Sequence, residues 1–171
     1  MKKNLFLFLL AGLIMSCAST GGNMTDIERN SESVIPNSND RTGTNNFSGV
    51  IGSEWKLTGV SVNGTDTQFN RNALSDAFSE SFTLIFDDKM LSGRGAPNQY
   101  SAPYTLGENR SISTLIMRTT LMASLFEPEN LKEYDYFRYM QYINSWQLSD
   151  GRLILSSLLD DGSEVKLIFE K

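Results

Sequence analysis

The chain has 171 residues, 40% of them hydrophobic and 11% aromatic, which suits one modest domain with appendages. A net charge of −5 and a pI near 4.8 argue against a nucleic-acid partner, because phosphate binding needs a positive footprint. Histidine is absent and Cys17 is the single cysteine, which excludes Ser-His-Asp and Cys-His catalysis, the commonest zinc ligand and any intrachain disulfide.

The N-terminus reads as an export signal. Lys2 and Lys3 form a basic start, and Leu5 to Met15 is an uncharged apolar run of 11 residues. A membrane-spanning helix needs about 20, so the run fits a secretory signal peptide instead. It ends in Ile14-Met15-Ser16-Cys17, which resembles a bacterial lipobox in which the cysteine becomes the first mature residue and carries the lipid. The competing reading is an ordinary signal peptide with an incidental cysteine. Residues 1–16 are thus assigned to the signal peptide and Cys17 to lipidation with diacyl or triacyl (palmitate-type) chains. Each buried methylene contributes about 0.8 kcal/mol, so such a group anchors a protein without a spanning helix. Loss of Lys2 and Lys3 takes the net charge from −5 to −7.

Residues 17–49 are rich in Ser, Thr, Asn and Gly, with scattered apolar residues such as Ile27, Val34 and Phe47. The stretch has neither strand nor helix period, and reads as a flexible tether that lifts the domain off the membrane. By resemblance to the sorting rule of diderm bacteria, Ala18 after the cysteine, where Asp would retain the protein at the inner membrane, favours the outer membrane.

The folded part is expected over 50–171. Trp55, Leu57, Val60 and Val62 mark a first strand ending at Asn63-Gly64, a hairpin signal. Asn72 to Phe78 is expected to make one helical turn. Phe82, Leu84 and Phe86 alternate with Thr83, Ile85 and Asp87, the period of a strand packed on one face. The chain then returns over Met90 to Arg94, passes an irregular corner from Gly93 to Tyr100, and alternates again from Tyr104 and from Ser111 to Met117. Pro128 with Glu127 and Glu129 opens an amphipathic helix expected at 128–142. Strands around Trp146-Leu148, Leu153-Leu155 and Val165-Phe169 follow, punctuated by Asp150-Gly151 and Asp161-Gly162. Short strands and tight turns of this kind predict a mainly β domain: a small antiparallel β-barrel or highly curved sheet with one amphipathic helix at an end.

Several local patterns have a bland explanation. Ser53-x-x-Lys56 matches a penicillin-binding nucleophile motif but lacks its partner motifs and its helix start. Gly93-Arg94-Gly95 is read as a bulge or corner in which glycine supplies positive φ, since no phosphate-loop context follows. Asp87-Asp88 and Asp160-Asp161 read as turn residues and not as calcium ligands. Glu127, Glu129, Glu133 and Asp135 read as a helix start and solvated face. Four tyrosines fall within nine residues, Tyr134, Tyr136, Tyr139 and Tyr142. They are either core on one side with half-exposed rings on the other, or a contact surface. Asn98, Tyr100 and Tyr104 pose the same choice between corner-stabilising bonds and a ligand-facing rim. Asn98, Tyr100, Tyr104, Tyr136 and Tyr139 are therefore the candidate contact surface.

Trp55-Lys56-Leu57, the corner Ser92-Gly93 to Asn98-Gln99-Tyr100 with Tyr104, Thr119 to Ala123, and the closing Leu153-Ile154-Leu155 and Leu167-Ile168-Phe169 together resemble the META domain family, which includes HslJ-like bacterial lipoproteins. The resemblance covers about residues 53–171. It implies a small β-barrel with a helix, envelope and stress associations, and no established catalysis. It also places the family's two cysteines at Pro97 and Ser124, so a cross-link there is lost and packing alone is expected to hold the region. The resulting expectation is a lipid-anchored envelope protein with a non-enzymatic domain. It would act as a monomer, without cofactor or metal, through an envelope protein partner or surface contacts. The alternative is a barrel that binds a small apolar ligand, for which large inward residues such as Trp55, Phe82, Leu84 and Phe86 would have to leave a cavity.

Overall fold

The computed structural model describes residues 46–123 and 127–171; Cys17, the apolar leader and the tether up to residue 45 lie outside the described residues. The strands, in chain order, are β1 (Glu54–Val62), β2 (Thr65–Gln68), β3 (Thr83–Phe86), β4 (Met90–Arg94), β5 (Gln99–Leu106), β6 (Ile112–Thr114) and β7 (Arg118–Thr119), then β8 (Ile143–Ser149), β9 (Arg152–Leu158) and β10 (Glu164–Glu170). One helix, α1 (Glu133–Gln141), lies between β7 and β8.

All ten strands belong to one antiparallel sheet ordered β6-β5-β4-β3-β1-β10-β9-β8, with β2 added to β1 and β7 to β5. Two meanders, β3 to β6 and β8 to β10, are thus joined through β1. Its first residues pair with β3 (Trp55 opposite Leu84) and its remainder with β10 (Val60 opposite Leu167). The two ends of the sheet approach where Ser111 bridges Ser145 and the Trp146 amide donates to the Arg110 carbonyl at 3.0 Å. The sheet is therefore a nearly closed barrel with, among the described residues, a single α-helix, as the strand and turn pattern leads one to expect.

The turns follow from their residues. Asn63-Gly64 (φ 51° and 78°) and Asp150-Gly151 (φ 52° and 78°) are left-handed at both central positions, the geometry that matches strand twist in two-residue hairpins. The third hairpin closes differently: Gly162 N–H donates to the Leu159 carbonyl at 2.9 Å, and only Gly162 of its Asp-Gly pair is left-handed.

Alternation places Trp55, Leu57, Leu84, Phe86, Leu91, Leu153, Leu155, Leu167 and Phe169 inside, all fully buried. Each such side chain contributes on the order of 1.5–3 kcal/mol. Phe82 is also fully buried but precedes its strand, with φ 53°, and meets Phe69 and Tyr136 edge-on at 5.3 and 5.1 Å. The four residues that would have had to leave a cavity, Trp55, Phe82, Leu84 and Phe86, fill the interior. The indole of Trp55 donates to the Val50 carbonyl at 2.9 Å, so its one polar atom is satisfied.

Three local expectations need correction. The helix does not run from 128 to 142. A 3₁₀ turn, Pro128–Asn130, ends at once because Glu129 is left-handed (φ 51°) and Leu131 and Lys132 are extended, so α1 starts afresh at Glu133. The single turn over Asn72 to Phe78 is two 3₁₀ turns, Arg71–Ala73 and Asp76–Phe78. Phe47, assigned to the tether, belongs to the core: its ring sits 5.1 Å from Phe86, 4.9 Å from Trp146 and 5.7 Å from Tyr104, across the barrel mouth.

Candidate functional site

The corner between β4 and β5 carries the densest polar network among the described residues. Gly95 N–H donates to the Asn98 carbonyl at 2.6 Å across the cis Ala96-Pro97 bond, which folds the chain back on itself. The tight loop aims two amides, those of Ala96 and Asn98, at one carboxylate oxygen of Glu133, the first residue of α1. The other oxygen of Glu133 accepts from Asn98 Nδ2 at 2.6 Å.

Asn98 uses all four of its side-chain bonds. Nδ2 also donates to the Met122 carbonyl at 2.9 Å, while Oδ1 accepts from Met122 N–H at 2.7 Å and from Thr120 Oγ at 2.8 Å. One buried amide thus ties the corner to residues 120–122 and, through Glu133, to the helix. The resemblance put a lost cysteine pair in this region and packing in its place. Of the two positions, Ser124 lies outside the described residues; at the Pro97 corner the hydrogen bonds of Asn98 act beside packing. Glu133 does open the helix, as expected, but its carboxylate is half-buried against the corner and does not belong to a solvated face.

The two glycines of the corner are required for space. A Cβ on Gly93 would lie 1.9 Å from the Thr83 carbonyl oxygen and 2.7 Å from Tyr100 Oη. One on Gly95 would lie 2.5 Å from Glu133 Oε1 and 2.7 Å from Phe137 Cζ. Neither is left-handed, so the expectation that they supply positive φ is replaced: both let another group pass close to the backbone.

The candidate contact residues are placed as follows. Tyr100 and Tyr136 are buried and share a 2.8 Å hydroxyl–hydroxyl bond, and Tyr100 Oη also reaches the Thr83 carbonyl at 2.8 Å. Burial raises both phenols above their ordinary value, Tyr100 well above it. Tyr104 is buried and donates to the Asp87 carbonyl at 2.7 Å, and Asn98 is the buried hub already described. These four cannot offer surface to a partner, because their polar ends are committed inside the fold. Only Tyr139 is half-exposed, its phenol raised by burial and by Asp135. Of the other helix tyrosines, Tyr134 is exposed and Tyr142 Oη donates to Asp160.

The remaining motifs are placed as follows. Lys56 Nζ sits 3.9 Å from Glu54 and 3.8 Å from Glu80. Asp87 Oδ1 accepts from Asp88 N–H and Asp161 Oδ1 from Ser163 N–H, as turn residues do. Arg71, which the sequence did not single out, donates to the carbonyls of Ser79 and Ser81 at 2.7 and 2.8 Å and pins the two 3₁₀ turns over one end of the barrel. Among the described residues no buried side-chain nitrogen or oxygen lacks a partner, and no cluster of three or more acidic residues is placed to hold a metal.

A family model for the META domain matches residues 41–170. Among solved structures, an NMR structure of a protein from Burkholderia xenovorans is 19% identical, with a TM-score of 0.53, over 86% of this chain and 99% of that one. A crystal structure of a DUF4847 family protein from Bacteroides vulgatus is 11% identical, with a TM-score of 0.48, over 72% of this chain and 95% of that one. No curated protein matches the chain.

Proposed function

Because the chain belongs to the META domain family, we propose that this member is a non-enzymatic envelope lipoprotein, anchored through Cys17 and acting through the outer surface of its barrel. What supports the reading is how the domain spends its polar groups. Asn98, Glu133, Tyr100, Tyr104 and Tyr136 are engaged with their own chain, so they serve architecture and are not poised as a nucleophile–base set among the described residues. The lipobox-like Ile14 to Cys17 after an 11-residue apolar run supports the anchor, and Ala18 supports the outer membrane. A role in envelope stress, through a protein partner, belongs to the same proposal. The apolar-ligand alternative is weaker because Trp55, Phe82, Leu84 and Phe86 occupy the interior such a ligand would need.

The test is intact mass and membrane partitioning of the protein from its host, beside Cys17→Ala. A diacyl or triacyl mass beginning at Cys17, lost with membrane association in the variant, is the expected result. A soluble protein cleaved elsewhere overturns the anchor.

A further inference from the structure

The outer face of the sheet beside the corner has an unusual composition for an acidic chain. One register row runs straight across five strands, Glu54, Ile85, Ser92, Ser101 and Arg118, and the next carries Thr83, Arg94 and Gln99. The rows line an open groove of about 600 Å³. Arg94 and Arg118 are exposed in it, with no ion-pair partner among the described residues, and Glu54, the one acid lining it, lies at the far end of the row.

The segment that delivers Arg118 is apolar on both sides of it. Leu115, Ile116, Leu121 and Met122 are 57%, 85%, 95% and 61% exposed. From Ser111 to Ala123 the only charge is Arg118. These side chains are held out by fixed backbone: Gln141 Oε1 accepts from Met117 N–H at 2.9 Å, Gln141 Nε2 donates to the Leu115 carbonyl at 3.0 Å, and Asn98 holds Met122 from both sides. Large apolar side chains kept in water on a rigid support mark an interaction surface.

We propose that this strip, with Arg94 and Arg118, docks on an anionic lipid bilayer. Protruding Leu, Ile and Met enter the headgroup–acyl boundary while the two guanidiniums face lipid phosphates, and the missing acids remove the repulsion such a surface would otherwise meet. The inference rests on the lipid-anchor reading, which keeps the domain near the bilayer; docking then sets which face of the barrel lies against it and leaves the opposite side to partners.

The test uses the full chain with Ile116→Cys carrying an environment-sensitive fluorophore. The protein is purified with its lipid and reconstituted into vesicles with brominated acyl chains, containing either phosphatidylglycerol or phosphatidylcholine alone. Quenching in the anionic vesicles is expected, with the docked-to-undocked ratio falling about fivefold for each of Arg94→Ala and Arg118→Ala. Flotation without quenching overturns the docking but leaves the anchor standing. Equal quenching in both vesicles, unchanged by the arginine variants, overturns the electrostatic recognition and with it the proposal. Failure to float with either vesicle overturns both the anchor and the docking.

Discussion

Asn98 and Glu133, 35 positions apart, are joined by two hydrogen bonds of 2.6 Å, one from the Asn98 amide nitrogen and one from its side chain. The contact fixes the β4–β5 corner against the start of α1. Through Asn98 it also fixes the extended segment at Met122.

Glu133→Ala leaves the Ala96 and Asn98 amides and the Asn98 side chain without their acceptor. A loss of about 2–4 kcal/mol is expected, below the sum of three hydrogen bonds to a charged group at about 1.5–3 kcal/mol each, because water can reach the part-buried donors once the carboxylate is gone. Asn98→Ala should cost a similar amount, and the double variant less than the sum, because the two share one network. Urea denaturation of the four proteins gives the coupling, and strict additivity would refute it.

Two glycine substitutions should separate space from conformation. Gly93→Ala puts a methyl into the Thr83 carbonyl and the Tyr100 hydroxyl, so a loss above about 3 kcal/mol is expected. Gly64→Ala meets nothing within 4 Å and only pays for its left-handed φ of 78°, about 1–2 kcal/mol. Thermal unfolding of both ranks them, and a milder Gly93→Ala would mean the corner relaxes.

Stability should depend on alkaline pH through Tyr100 and Tyr136. Burial raises both phenols in the native chain, whereas the unfolded ones ionise near pH 10. The native state thus keeps protons that the unfolded chain loses. Stability is level below about pH 10 and falls as pH rises above it, by about 1.4 kcal/mol per pH unit for each tyrosine held neutral. Denaturation midpoints measured across that range should decline less steeply in a Tyr100→Phe, Tyr136→Phe double variant, and an equal slope would show that the pair is not responsible.

Phe47 closes the barrel mouth against Phe86, Tyr104 and Trp146. Phe47→Ala is expected to cost about 3 kcal/mol, and a chain beginning at Val50 should be destabilised at least as much. Equal melting temperatures for the full chain and the shortened one would return Phe47 to the tether.

The strands were legible because a barrel strand writes its inside and outside into alternate residues. Leu84 and Phe86 on β3, or Val165, Leu167 and Phe169 on β10, announce themselves without any knowledge of their neighbours. The Asn-Gly and Asp-Gly turns are equally local, since the left-handed backbone they need is a property of those residues. The candidate contact residues fared differently. Tyr100 and Tyr136 carry the same side chain as exposed Tyr134, and only the packing of α1 over the barrel end separates buried from exposed. Glu133 gave no signal in a stretch with Glu127, Glu129 and Asp135, because its partners are the backbone amides of a loop more than 30 positions away. Gly93 and Gly95 signalled a special position but not the reason for it.

By itself the sequence determined the mainly β class, the positions of most strands and turns, and the resemblance to the family whose model the chain matches, because each rests on residues near one another in the chain. The tertiary structure alone decided that Phe47 is core, that Asn98 and Glu133 form a latch, that four of the five candidate contact residues face inward, and that Arg94 and Arg118 share an outer face. The physical reason is that burial and hydrogen-bond partnership are set by which distant segments close on one another. No local period carries that information.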